Sequence, residues 1–334
     1  MPGVTAAPLR IVVMGTGPFA VPMFRALLDS GHDLLAVVTR PDRAPPGRRP
    51  PRNPLREAAE AAGLPVLAPE TIRDPQARHD LESLHADLFV VCDYGQILPP
   101  EILALPPLGG VNLHGSLLPR HRGAAPVQWT LLEGDAISGV SVIHMTPALD
   151  AGGVIVARAT PVAPRETAVE LEARLAELGA GAVVEAVERL AAARAVGVDP
   201  TALGLPQDAT QATRAPRIAK QDGIVDWSLP AARLERMRRA YEPWPRLTTQ
   251  FVRGDGLPQR LVLEDVTVSE RPAAAAAPGT VLEASAGRLV VACGGGSALE
   301  IVRVVPEGRR GMSAAEFLRG SPLREGMRLG TIPP

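Results

Sequence analysis

The N-terminal half of this 334-residue sequence alternates short apolar runs with segments in which apolar residues recur at helical spacing. The runs at residues 9–14, 34–39 and 87–92 are continuously apolar over most of their length, and residues 109–114 place Val111 and Leu113 at alternate positions, which predicts buried strands. Intervening segments such as residues 18–30 predict helices. Strands that alternate with helices pair as a parallel sheet covered on both faces. We therefore predict an α/β fold with a doubly wound, mostly parallel N-terminal sheet.

The composition changes after residue 195. Gly, Pro, Gln and Thr dominate as far as residue 213 without clear periodicity, which is typical of a linker. Five alternating runs with Gly-rich turns follow and predict a small β-barrel, at residues 247–252, 259–268, 279–284, 288–293 and 298–305. The predicted organisation is a flexible tail at 1–9, a first domain at 10–195, a linker at 196–213 and a C-terminal domain at 214–334.

The overall composition is that of a globular protein. A hydrophobic content of 46% and a charged content of 21% are globular values. No apolar run approaches the ~18 residues of a membrane helix. Cys92 and Cys293 lie in separate apolar runs and indicate neither a disulfide framework nor a metal cluster. We expect a cytoplasmic protein that binds no metal and does not enter a membrane.

Charge is unevenly distributed along the chain. The formal net charge is −1, but residues 40–56 contain six arginines against the single acid Asp42. Residues 214–246 carry eight basic residues against four acids. Because nucleic acids bind local basic patches, this segregation is compatible with an RNA partner despite the neutral total. Lys220 is the only lysine beside 34 arginines, so either a compact ammonium is needed there or the residue is incidental.

The candidate catalytic residues follow a predicted buried strand. Asn112 and His114 lie two positions apart, so a strand would present them on the same face, at the end where α/β sheets bind ligands. Asp150 follows a second apolar run and would share their crevice if the two strands are neighbours. An amide, an imidazole and a carboxylate can together polarise a carbonyl and move a proton, which suits acyl transfer. Taken singly, the histidine can be an ordinary satisfied polar group and the aspartate a turn residue.

A competing motif lies near the N-terminus. Gly15, Gly17 and Ala20 match the spacing of a dinucleotide-binding turn between a strand and a helix. Pro18, however, lacks the backbone N–H that a pyrophosphate would use. Arg40 occupies the tip of the second strand, where it could accept a 2′-phosphate, so a nicotinamide-dependent enzyme stays an alternative. That alternative does not explain Asn112, His114 and Asp150.

Over nearly the whole chain, the sequence resembles the methionyl-tRNA formyltransferases, a branch of the 10-formyltetrahydrofolate-dependent formyltransferases. The resemblance is carried by motifs in both halves of the chain. They are Asn112-x-His114-x-Ser116-Leu117-Leu118-Pro119, Asp150-x-Gly152, Arg120-His121-Arg122-Gly123-Ala124-Ala125-Pro126, Tyr94-Gly95-Gln96-Ile97-Leu98-Pro99, Pro216-Arg217-Ile218-Ala219-Lys220 and Pro243-Trp244-Pro245.

This resemblance implies a reaction in which the formyl group of 10-formyltetrahydrofolate moves to the α-amino group of methionine on initiator tRNA. It implies catalytic roles for Asn112, His114 and Asp150, a formyltransferase domain at 10–195 and an OB-like C-terminal barrel that helps to hold tRNA. A monomer is expected. The folate is expected to contact two loops, at Ser116, Leu117, Leu118, Pro119, Tyr94, Gln96, Ile97 and Leu98.

The same resemblance implies tRNA contacts from the arginine-rich segment and from the sole lysine. The expected residues are Arg40, Arg43, Arg48, Arg49, Arg52 and Lys220. The family's usual Gly-Arg-Gly-Lys-Lys is present here only as Gly47-Arg48-Arg49, so individual base contacts differ although the charge is kept. Ser141 stands where the family usually has threonine, and the hydroxyl is retained.

Four alternatives resemble parts of this pattern. Glycinamide ribonucleotide formyltransferases lack the long C-terminal barrel, and formyltetrahydrofolate dehydrogenases continue into a much larger chain. Sugar-nucleotide formyltransferases have less reason for the basic segment at 40–56. A non-catalytic tRNA-binding module would not need Asn112, His114 and Asp150 together.

Overall fold

The computed structural model describes residues 7–42, 53–252, 256–273, 275–321 and 323–330. These residues form two compact units. The first contains the described residues up to Pro126 together with Ala136–Val162 and Glu170–Pro216, and the second contains Val127–Asp135, Ala163–Val169 and the described residues from Arg217 onward. Residues 196–213, predicted from composition to be a linker, fall within the first unit. The domain boundaries derived from the sequence stay a prediction.

The first unit is built on a seven-stranded sheet in the order β3-β2-β1-β4-β5-β6-β7. Strands β1 to β5 are parallel, and β6 and β7 run antiparallel to their neighbours. The strands are β1 (Arg10–Gly15), β2 (Asp33–Val38), β3 (Val66–Leu67), β4 (Leu88–Cys92), β5 (Gly110–His114), β6 (Ile137–His144) and β7 (Val154–Pro161). All five residues of β4 are buried, as expected for a central parallel strand covered on both faces. The predicted doubly wound, mostly parallel sheet is confirmed.

Helices connect these strands. They are α1 (Ala20–Leu28), α2 (Pro54–Ala61), α3 (Pro75–Ser83), α4 (Pro100–Leu103), α5 (Pro126–Glu133) and α6 (Ala168–Ala195). Helices α2 and α3 begin with an Asn-Pro and an Asp-Pro pair. The side chains of Asn53 and Asp74 accept hydrogen bonds from backbone N–H groups of the first turn, which would otherwise be unsatisfied.

Helix α6 is continuous over 28 residues and includes Gly179 and Gly181. Gly179 is needed for close packing, because a Cβ built there would lie 2.7 Å from Cδ2 of Leu113 on β5. Gly181 faces open space. Among the helices in the described ranges, none combines the length and the apolar character required to cross a membrane.

The second unit carries an antiparallel sheet in the order β10-β11-β12-β9-β8, with β13 paired to β12. The strands are β8 (Thr248–Val252), β9 (Pro258–Ser269), β10 (Val281–Ser285), β11 (Arg288–Ala292), β12 (Ala298–Pro306) and β13 (Met312–Ser313), and the helices are α7 (Ala231–Ala240) and α8 (Ala314–Gly320). The curled sheet forms a half-barrel consistent with the predicted OB-like domain. Strand β13 was not predicted, because two residues are too few to produce a periodic pattern.

Candidate active site

Strand β5 and the turn after β6 bring two of the candidate catalytic residues together. His114 is the last residue of β5 and pairs with Ser141 of the antiparallel strand β6. Strand β6 therefore ends level with Val111, near the start of β5. The turn at Asp150 folds back from that end, so that Asp150 Oδ2 lies 3.7 Å from His114 Nδ1. Both side chains are largely removed from solvent, with 5% of His114 and 11% of Asp150 exposed.

The hydrogen bonds of His114 determine which ring nitrogen carries the proton. Nε2 lies 2.9 Å from the carbonyl oxygen of His121, which can only accept a hydrogen bond. The neutral imidazole therefore carries its hydrogen on Nε2 and presents Nδ1 as an acceptor towards Asp150. Burial lowers the pKa of His114, and the Asp150 carboxylate opposes that effect only in part. The neutral ring consequently dominates at neutral pH.

Backbone contacts hold the Asp150 turn in position. Asp150 has a φ of 50°, in the left-handed region that aspartate tolerates better than most residues. Its Oδ2 accepts a hydrogen bond from the N–H of Gly123 at 2.9 Å. Gly152 packs so closely on the end of β6 that a Cβ there would overlap the carbonyl oxygen of His144. Only glycine fits this turn.

Asn112 occupies the same face of β5 as His114, because alternate residues of a strand point to the same side. Its side chain is half-buried, and its amide makes no hydrogen bond to the parts of the chain that the structure describes. A half-buried amide with unused donors can stabilise a negatively charged oxygen.

The predicted folate loop after β5 is held by a serine pair. The Ser116 hydroxyl donates to the carbonyl of Arg120 at 2.6 Å. The Ser141 hydroxyl donates to the carbonyl of Ser116 at 2.8 Å and accepts from the N–H of Leu118 at 3.0 Å. These bonds use the hydroxyls of Ser116 and Ser141, which leaves the half-buried side chains of Leu117, Leu118 and Pro119 as the groups of this loop that reach solvent.

The second loop that is predicted to contact folate follows β4. Some of its side chains are buried in the core and others reach solvent. Tyr94 and Leu98 are buried in the hydrophobic core. Gln96 accepts a hydrogen bond from the N–H of Ile72 at 2.8 Å and donates to the Pro69 carbonyl at 3.4 Å, which anchors the loop. Ile97 is 74% exposed and is the large apolar side chain that this loop presents to solvent.

An acidic side chain lies against the glycine-rich turn after β1, at the position where a bound dinucleotide would need positive charge. A Cβ built on Gly17 would overlap Oδ2 of Asp93, so this carboxylate lies directly against the turn. Asp93 also adds to the effect of burial in raising the pKa of Glu172. Negative charge at this position would repel a pyrophosphate. The geometry therefore disfavours the nicotinamide alternative.

Comparison with known proteins identifies the family of this chain. Residues 9–187 match the family model described as Formyl transferase, and residues 217–322 match the Formyl transferase, C-terminal domain. A protein named methionyl-tRNA formyltransferase from Rhodopirellula baltica is 45% identical over 329 residues, covering 96% of each chain. One of the same name from Roseiflexus castenholzii is 42% identical over 324 residues, covering 96% of this chain and 99% of its own. The chain belongs to the methionyl-tRNA formyltransferase family.

The fold of this methionyl-tRNA formyltransferase is also found in a solved structure. A crystal structure of WlaRD, a sugar 3N-formyl transferase, superposes with a TM-score of 0.62 at 14% identity, covering 91% of this chain and all of the other. Identity this low supports the shared fold alone.

The residues predicted to contact tRNA are only partly described. Arg40 lies at the end of β2, and its guanidinium approaches Gly95, where a built Cβ would lie 3.3 Å from one terminal nitrogen. Arg43, Arg48, Arg49 and Arg52 lie outside the described residues. Lys220 is exposed at the start of a 3-10 turn in the second unit. Among the described residues, no group of three or more His, Cys, Asp or Glu side chains is arranged to hold a metal ion.

Two residues that support the candidate catalytic loops carry no signal in the sequence. Gln207 contacts the Asp150 turn, and Thr213 Oγ1 accepts a hydrogen bond from the N–H of His121 at 2.8 Å. Both lie in the segment that was interpreted as a linker. No periodic pattern marks them, because each acts through a single side chain on an irregular backbone.

Proposed function

We propose that this formyltransferase transfers the formyl group of 10-formyltetrahydrofolate to the α-amino group of methionine on initiator methionyl-tRNA. The single observation that carries the proposal is the buried pair of His114 and Asp150 beside Asn112, whose amide makes no hydrogen bond to the described residues. Similarity to methionyl-tRNA formyltransferases over 96% of the chain supports the substrates. The transferred group is a carbonyl, and the acceptor is an amine.

The pair formed by His114 and Asp150 can bind the α-amino group of the acceptor. His114 Nδ1 and Asp150 Oδ2 are both hydrogen-bond acceptors, and the distance of 3.7 Å between them is too long for a direct hydrogen bond. The N–H groups of an incoming amine would satisfy both. An α-amino group has a pKa near 7.7–8.0, so much of it is already unprotonated and orientation is the larger task. Of these two acceptors, Nδ1 of His114 then receives the one proton that the amine loses.

The role assigned to Asn112 is to stabilise the oxygen of the formyl group. Its amide can donate to this oxygen as negative charge develops there, whereas the N–H of His114 is already bonded to His121. His114 therefore acts mainly at Nδ1, as a base that holds the proton and later releases it towards N10 of the folate. Asp150 keeps the imidazole oriented and stabilises its protonated form.

The residues around the site fit a folate donor. When bound, the folate supplies a formyl group attached to N10. Ile97 and Leu149 are 74% and 68% exposed, and such large apolar side chains are suited to cover a flat ring system. The loop from Ser116 to Pro119 would supply backbone groups for the polar edge of the ring. Tyr94, Gln96 and Leu98 would support the facing loop from within.

The tRNA would be held through phosphate contacts. Arg40, Arg43, Arg48, Arg49 and Arg52 concentrate guanidinium groups in one segment, and Arg is suited to bidentate phosphate binding. Lys220 adds a point charge from the second unit. A bacterial-type translation enzyme of this kind would act in the cytoplasm, and the monomeric state stays a prediction.

One assay tests the proposed function. The purified chain is offered 10-formyltetrahydrofolate with charged initiator tRNA, a 3-amino sugar nucleotide or glycinamide ribonucleotide in parallel, and the formylated product is measured. We expect turnover with methionyl-tRNA and at least ~10²-fold lower turnover in His114→Ala and Asp150→Ala, with the native fold retained in circular dichroism spectra. Preference for either small amine would contradict the proposed substrate, and near-normal turnover by both variants would contradict the proposed site.

A further inference from the structure

The side chain of Gln207 connects two parts of the site. Its Nε2 donates to the carbonyl oxygen of Asp150 at 2.9 Å and to that of Gly152 at 2.8 Å. Its Oε1 accepts from Arg122 through Nε at 3.1 Å and through a terminal nitrogen at 2.6 Å. Both N–H groups of the amide donate and its oxygen accepts from two nitrogens of Arg122, so every hydrogen-bonding direction of the amide is engaged.

The orientation of this amide follows from its partners. A guanidinium can only donate, so the oxygen must face Arg122. A carbonyl can only accept, so the nitrogen must face Asp150 and Gly152. A rotated amide would lose all four contacts. No other neutral side chain of similar length offers two donors on one side and an acceptor on the other.

Short backbone pairings hold Gln207 on either side. Leu205 exchanges two hydrogen bonds with Val154 of β7, both at 2.9 Å. Further along, the N–H of Arg122 donates to the carbonyl of Thr213 at 2.9 Å, and the N–H of Ala215 donates to the carbonyl of Arg122 at 2.7 Å. All of these residues belong to the first unit. Gln207 thus has a defined position relative to both active-site loops.

We propose that Gln207 is a positioning residue, which holds the Asp150–Gly152 turn so that the carboxylate of Asp150 faces His114. This inference rests on the proposed function and adds a residue to it. The turn needs such support because Asp150 adopts a φ of 50°, which a non-glycine residue keeps only when its surroundings enforce it. Without the two N–H donors, the Asp150 carbonyl would turn towards water and its side chain would leave the N–H of Gly123.

The substitution Gln207→Glu isolates this role. Glutamate has the same shape and still pairs with Arg122, but it cannot donate to the two carbonyl oxygens and repels them. We expect kcat to fall by ~10²-fold while KM for methionyl-tRNA and folate changes little, because the loss concerns alignment of the reacting groups. The matched control is Gln211→Glu, the same change at an exposed residue four positions further on. The control should keep wild-type kcat.

A double-mutant cycle with Asp150→Ala separates positioning from general stability. If Gln207 acts through Asp150, adding Gln207→Glu to Asp150→Ala should cause no further fall in the residual kcat. Hydrogen exchange provides a readout other than activity, since the amide of Gly123 should exchange faster in Gln207→Glu than in the control. Wild-type kcat for Gln207→Glu, or losses that multiply in the double variant, would overturn the inference. Absence of methionyl-tRNA formylation by the wild-type chain would instead overturn the proposed function.

Discussion

At the scale of single residues, His114 is subject to two opposing influences. Burial lowers its pKa, while the Asp150 carboxylate and the hydrogen bond to the backbone carbonyl of His121 raise it. A base must be unprotonated, so activity is lost as the pH falls through this pKa. We expect the acid limb of kcat/KM to have its midpoint below the ordinary histidine value of 6.5, measured by steady-state assays across pH.

The variant Asp150→Asn tests the cause of that midpoint. Removing the carboxylate removes the main group that raises the pKa of His114, so the acid limb should move to still lower pH while kcat also decreases. An upward movement of the limb would show that another group controls the profile.

Asn112 allows catalysis to be separated from stability. Because its amide makes no hydrogen bond to the described part of the free protein, Asn112→Ala removes no stabilising contact of that amide. We expect kcat to fall by ~10²–10³-fold, the usual cost of losing one oxyanion donor. Thermal unfolding monitored by circular dichroism should be nearly unchanged. A lowered unfolding temperature with normal kcat would mean that Asn112 is structural.

At the scale of elements, α6 contains a matched pair of glycines. Gly181→Ala places a methyl group in open space and removes the helical cost of glycine, so it should stabilise the fold by about 0.5–1 kcal/mol. Gly179→Ala forces a methyl group against Leu113 of β5 and should destabilise the fold by about 1–3 kcal/mol. Denaturant unfolding of the two variants checks both signs. Equal effects would mean that α6 does not pack on β5 through Gly179.

Elements with a repeating pattern could be predicted from the sequence, whereas single supporting contacts could not. Strands β4 and β5 were placed within one residue, because a continuous apolar run marks β4 and the alternating Val111 and Leu113 mark β5. Motif spacing made Asn112, His114 and Asp150 candidates, and the structure brings His114 and Asp150 together. Gln207 was missed, since its function depends on where an irregular segment passes the active site. Ser116 and Gln96 are expected to contact folate, and this stays a prediction; in the structure their side chains bond to nearby backbone groups.

At the scale of the whole molecule, the net charge of −1 does not reveal the basic residues that would contact tRNA. Variants of Lys220 test whether tRNA binding requires a particular cationic side chain or only positive charge. If only charge matters, Lys220→Arg should bind tRNA like the wild type, and Lys220→Ala should bind it more weakly. If the compact ammonium matters, both variants should be weaker, because the larger planar guanidinium makes different contacts. Filter binding of methionyl-tRNA at one fixed salt concentration distinguishes the two results, and unchanged affinity in Lys220→Ala would remove the residue from the interface.

The salt dependence of binding measures how many phosphates the protein neutralises. Each contact made by Arg or Lys releases counterions, so log affinity falls linearly with log salt concentration even when the protein is neutral overall. The double variant Arg48→Ala, Arg49→Ala should bind tRNA more weakly and reduce this slope by up to about two. Arg309→Ala, Arg310→Ala is a matched control, because it removes two adjacent arginines outside both basic segments. Equal slopes for the wild type and the Arg48, Arg49 variant would exclude this segment from phosphate contact, and the basic residues at 214–246 would then have to supply the slope.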